Sequence, residues 1–116
     1  MRNRILILFS FTICSFSAAA ISDETSGKVS DIQVAIDDEA VYFRLETMPT
    51  NVTEWFYLSD DNTGTTGGCY KKGSPTVLNR AYSALLTAKS TGKNVKIGYC
   101  VSTTGYGVVN LYLRAE

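Results

Sequence analysis

The 116-residue chain has no histidine and only three cysteines. Without histidine, the Ser-His-Asp and Cys-His catalytic arrangements and the usual zinc sites cannot be built from this chain alone. Only two prolines occur, Pro49 and Pro75, so few points force an extended element to break. There is no excess charge of either sign, with eleven basic and eleven acidic residues. Nothing here supplies a basic field for nucleic acid. The single long apolar run, Ile5 to Ala20, is short and weakly flanked for a membrane span.

That run follows Met1-Arg2-Asn3-Arg4 and ends in Ala18-Ala19-Ala20, the pattern of a charged n-region, an apolar h-region and a small-residue cleavage site. Residues 1–20 are therefore expected to be a removable signal peptide, residues 21–27 a flexible leader, and residues 28–116 one domain. The expected location is secreted or periplasmic, with no stable span in the mature chain. Loss of Arg2 and Arg4 would leave nine basic against eleven acidic residues.

With Cys14 in the signal segment, the mature chain holds Cys69 and Cys100 alone, and an oxidising compartment predicts a disulfide between them. A domain this small needs such help, from a disulfide or from oligomerisation.

Alternation of apolar residues predicts strands over Lys28–Ile36 (Ile32, Val34, Ile36) and over Val41–Glu46 (Val41, Phe43, Leu45), joined as a hairpin through Asp37-Asp38-Glu39-Ala40. The aromatic run Glu54–Leu58 predicts a third strand, on which Trp55 and Tyr57 share one face and Phe56 and Leu58 the other. Residues 59–73, rich in aspartate, threonine and glycine, read as a loop. Ser74-Pro75 then opens a helix whose apolar face is Leu78, Ala81, Tyr82, Leu85 and Ala88, closed at Gly92. Val95, Ile97 and Tyr99 predict the fourth strand and Val108–Leu113 the fifth.

Three strands, a helix and two strands give a β-rich α+β fold. The expected architecture is a five-stranded OB-fold-like barrel with one α-helix between strands 3 and 4.

The chemistry-bearing candidates are few. Asp37-Asp38-Glu39 and Asp60-Asp61 read as solvated turn acids rather than an acid/base pair. Ser59–Gly64 gathers oxygen ligands without the spacing of a calcium loop. Thr65-Thr66-Gly67-Gly68 lacks the ending of a phosphate loop, and Asn51-Val52-Thr53 is a glycosylation sequon. No catalytic residue, metal ligand or cofactor is assigned, and the chain reads as a non-enzyme. The aromatic residues stand out, and Trp55, Tyr57, Tyr70 and Tyr106 are the candidate ligand-binding residues, sugars being ligands that stack on such rings.

The helix-to-strand segment from Asn79 through Thr91-Gly92 to Val95-Lys96-Ile97 resembles the corresponding region of B subunits of bacterial pertussis-like and subtilase-type AB toxins. Gly27–Ile32 with Val41-Tyr42-Phe43 resembles their first hairpin, and other small exported bacterial proteins are similar. The resemblance covers about residues 27–100. It implies an OB-fold subunit that assembles into a homo-pentamer, binds cell-surface glycan and carries a separate toxin A chain. The reading from a different class is a monomeric periplasmic or secreted interaction or inhibitor domain.

Overall fold

The computed structural model describes residues 21–116, so the signal-peptide reading of residues 1–20, with Cys14, lies outside the described residues. Among the described residues, seven strands and one helix follow in the order β1 (Ile21–Ala35), β2 (Ala40–Leu45), β3 (Phe56–Ser59), β4 (Thr65–Thr66), β5 (Cys69–Tyr70), α1 (Pro75–Thr91), β6 (Asn94–Val101) and β7 (Gly107–Ala115). Five of the strands pair in a closed ring in the order β1, β2, β3, β7, β6, with β6 returning to β1. All neighbours are antiparallel except β3 and β7, whose parallel contact is two residue pairs long.

The segment expected as a flexible leader, residues 21–27, belongs to the sheet. Ile21 to Lys28 pairs continuously with Val101 to Asn94 of β6. Its polar composition misleads because Ser22, Asp23, Glu24 and Ser26 lie exposed while the backbone supplies the ladder. Without it, β6, which carries the buried Val95, Ile97 and Tyr99, would have an open edge. Asn51 Nδ2 donates to Asp23 at 2.9 Å, and the Tyr112 hydroxyl donates to Glu24, which also faces Lys96 at 4.0 Å. An irregularity at Ser30, between Val29 and Asp31, marks the point where β1 exchanges its β6 partner for β2.

The helix forms where the spacing predicts it. Ser74 caps it, its Oγ accepting the Val77 N–H at 3.2 Å, and Gly92 ends it at φ 67°. Ala81, Leu85 and Ala88 are its buried face. Its place in the chain differs from expectation: it follows the fifth strand, not the third, because residues 59–73 contain the hairpin β4–β5. Gly67 and Gly68, at φ 54° and 84°, make the two-residue turn of that hairpin. Two-residue strands are too short to leave a period in the sequence.

The core lies inside the ring beneath α1. Phe43, Phe56, Leu85, Val95, Ile97 and Tyr99 are essentially inaccessible to solvent. Phe56 stacks on Phe43 and meets the edge of Tyr99, each at 5.1 Å between centroids. The buried Tyr99 ring keeps its hydroxyl satisfied by donating to Asn51 Oδ1 at 3.1 Å. Cys69 and Cys100 are joined, with Cα atoms 5.8 Å apart, and the bridge ties the β4–β5 hairpin to β6. No described helix is long and apolar enough to cross a membrane.

Candidate functional site

The outer face of β2 and β3 carries a run of aromatic side chains because the strands are in register. Val41, Phe43, Phe56 and Leu58 turn inward and are buried, which leaves Tyr42 opposite Tyr57 on the other face. Their ring centroids are 5.3 Å apart. Tyr106, from the turn between β6 and β7, meets Tyr42 edge-on at 6.0 Å. The three rings wall a cleft of about 370 Å³, completed by Asp38, Asp61, Thr66, Lys71 and Thr104.

Each wall is held from behind. The Tyr57 ring packs on the cluster of Cys69, Cys100 and Val108, so the disulfide backs the aromatic wall. The Tyr106 turn is fixed by its N–H donating to Ser102 Oγ at 3.0 Å and by the Ser102 N–H donating to the Tyr106 carbonyl at 2.8 Å. Thr103 N–H donates to the Gly67 carbonyl at 2.9 Å, which locks the tip of the β4–β5 hairpin against the same turn. A Cβ on Gly67 would lie 2.7 Å from Ser102 Cβ, so this approach requires glycine.

The polar groups are arranged mainly as acceptors. Tyr42 donates its hydroxyl proton to Asp38 Oδ2 at 3.4 Å, and Lys71 Nζ lies 3.6 Å from Asp61 Oδ2. Asp61 Oδ1 is buried without a hydrogen-bond donor. Just outside the cleft, Glu39 takes a left-handed φ of 49° and sits against Asp60, whose hydrogen bond and charge raise the Glu39 carboxyl above its ordinary value. Among the described residues, no group of three acidic or cysteine side chains converges as a metal site.

Burial of Tyr42, with the negative charge of Asp38 second, pushes its hydroxyl up from 10.0 to about 12. A phenol whose folded pKa is raised contributes stability that is complete below its unfolded pKa of about 10 and is lost as pH climbs through 12. A tyrosinate absorbance titration should therefore lose a step near 12 on Tyr42→Phe. Loss of a step near the ordinary value instead would show that the ring is not held as described.

The four candidate residues separate into two groups. Tyr57 and Tyr106 come together in the cleft. Trp55 lies one residue beyond the last β2–β3 pair, half-buried, with the Arg44 guanidinium 5.5 Å from its ring centroid. Tyr70 is 69% exposed and outside the cleft, its carbonyl accepting from Asn110 Nδ2 at 2.9 Å. Tyr42, which completes the site, was not among the candidates. Its alternation with Val41 and Phe43 put it on the outer face, but its position opposite Tyr57 exists only in the paired strands.

No family model, curated protein or solved structure was found to match the chain. The functional reading rests on the geometry of the cleft.

Proposed function

We propose that the chain is an exported, non-catalytic module that binds a glycan in the cleft between Tyr42, Tyr57 and Tyr106. The observation that carries this reading is the aromatic wall joined to fixed acceptors. A pyranose presents an apolar C–H face, which stacks on a tyrosine ring, and a rim of hydroxyls, which donate to carboxylates. Asp38, Asp61 and Thr104 supply the acceptors and Lys71 a donor. The volume falls within the range of small-ligand sites. Asp38 is engaged by Tyr42 and Asp61 by Lys71, which suits holding a sugar rather than passing protons.

The ring order β1, β2, β3, β7, β6 and the parallel contact of β3 with β7 favour an OB-fold-like barrel. Counting the ring strands alone, the helix precedes the fourth, as in that fold. Secretion through a cleaved signal peptide accords with the Cys69–Cys100 bridge, which needs an oxidising compartment. The toxin-like form of the reading adds a homo-pentameric ring and a separate A chain, and it gains support from exposed apolar side chains such as Val34 and Ile36.

A glycan array probed with the oxidised protein tests the reading, with Tyr42→Ala and Tyr106→Ala as comparisons. The expected result is a restricted set of bound glycans and a loss of about tenfold or more in each variant, in line with about 1 to 3 kcal/mol for removing one well-placed stacking or hydrogen-bonding partner. An array with no signal counts against the glycan. Light scattering on the same sample separates the ring from a monomeric interaction domain.

A further inference from the structure

A second concave surface, a groove of about 570 Å³, runs between α1 and β7. It arises because the parallel contact of β3 with β7 ends at Tyr57 and Val108, while β7 continues to Ala115. Beyond Val108, among the described residues, β7 is paired only on its β6 side. The other edge is a row of backbone donors and acceptors without a strand partner, and such an edge is a template for an added strand.

Three further features describe what fits. The floor and helix wall are apolar, from Leu58, Val77, Ala81 and Val109, and Leu111 beside them is 54% exposed. The charged residues of the lining are Lys72 and Arg80, neither ion-paired among the described residues, and no acidic residue lines the groove. The groove also reaches Ser74 at the start of α1, whose first turn holds no acidic residue, so the positive end of the helix is left uncompensated. At the β7 irregularity opposite Gly98 and Tyr99, Asn110 Nδ2 is used by the Tyr70 carbonyl and its Oδ1 is buried with no donor. The seam is under-satisfied in the free chain.

We propose that this groove takes an extended segment of a partner protein in which acidic and apolar residues alternate, added as a strand to the free edge of β7 between Val109 and Leu113. Backbone hydrogen bonds supply the register. Alternate side chains then divide between the apolar floor and the cations Lys72 and Arg80. This surface does not depend on the glycan reading of the tyrosine cleft.

The test uses the disulfide-bonded protein recovered after export of the full chain, isotope-labelled, with a fluorescein-labelled decapeptide alternating aspartate and leucine. Saturable binding is expected, with amide shifts concentrated in 109–113 and 72–84 and little change at Tyr42 or Tyr106. Lys72 and Arg80 are both exposed, so Lys72→Glu with Arg80→Glu should keep the native spectrum while weakening binding about tenfold or more. Methylation of alternate peptide nitrogens should abolish it. Undiminished binding of the methylated peptide, or equal shifts from decanoate, would overturn the strand in favour of a simple amphipathic anion. Shifts at the same amides on concentrating the protein without peptide would overturn it in favour of a second copy of the chain. Absence of binding at millimolar peptide would overturn it outright.

Discussion

Replacing Cys69 and Cys100 together by alanine lowers stability by about 4 kcal/mol, the chain-entropy value for a loop of this size. The bridge spans 31 residues, and the loop it closes runs from β5 through the whole of α1 into β6. For a domain of about this length, that loss corresponds to roughly 15 to 30 °C in Tm. Alanine is the informative replacement, since Cys69 and Cys100 are 1% and 6% exposed and a serine pair would add buried hydroxyls. Urea unfolding of the oxidised and double-alanine proteins measures the difference. The same variant should also weaken the cleft, because Tyr57 rests on this bridge and the Gly67 turn is held beside Tyr106 by the hairpin it anchors. A loss below about 1 kcal/mol would mean that β4–β5 is held by its other contacts.

Phe56→Ala is the second large effect, about 3 to 5 kcal/mol for removing a fully buried phenylalanine. Phe56 sits where the ring closes through its shortest strand pairing, β3 against β7. It pairs with Phe43 across β2 and with Gly107 across the short parallel contact to β7. Its ring lies so close over Gly107 that a Cβ there would approach Phe56 Cδ1 to 2.5 Å. Removing the ring therefore leaves a cavity among Phe43, Tyr99 and Val52 and loosens the one contact that joins β3 to β7. Phe56→Leu, which retains most of the volume, should cost clearly less by the same urea measurement. Equal costs for the two variants would indicate that the ring stacking, not the filled volume, holds the seam.

Much of this architecture was legible before the strands were paired. Val41, Phe43 and Leu45 alternate because one face of β2 is core, and Ser74-Pro75 with Gly92 mark the ends of α1 by capping chemistry alone. The Cys69–Cys100 bridge followed from count and compartment. The illegible parts are those fixed by distant partners. Ser22 to Ser26 has no apolar period and is a strand because β6 needs a neighbour. The β4–β5 hairpin had one local signal, Gly67-Gly68 after two threonines, in a segment otherwise read as loop. The candidate site was half legible for the same reason. Tyr57 and Tyr106 could be picked as aromatic residues on a strand face and in a turn, but Tyr42 joins them through register, and Tyr70 is left outside by the side of the hairpin on which it falls.

That division gives the most direct measurement, calorimetric titration of the strongest array glycan into the native protein, Tyr106→Ala and Tyr70→Ala. The cleft predicts that Tyr106→Ala loses about tenfold or more in affinity while Tyr70→Ala, whose exposed ring lies outside it, binds as the native protein does. Full binding by Tyr106→Ala, or an equal loss in Tyr70→Ala, would contradict a site formed by Tyr42, Tyr57 and Tyr106.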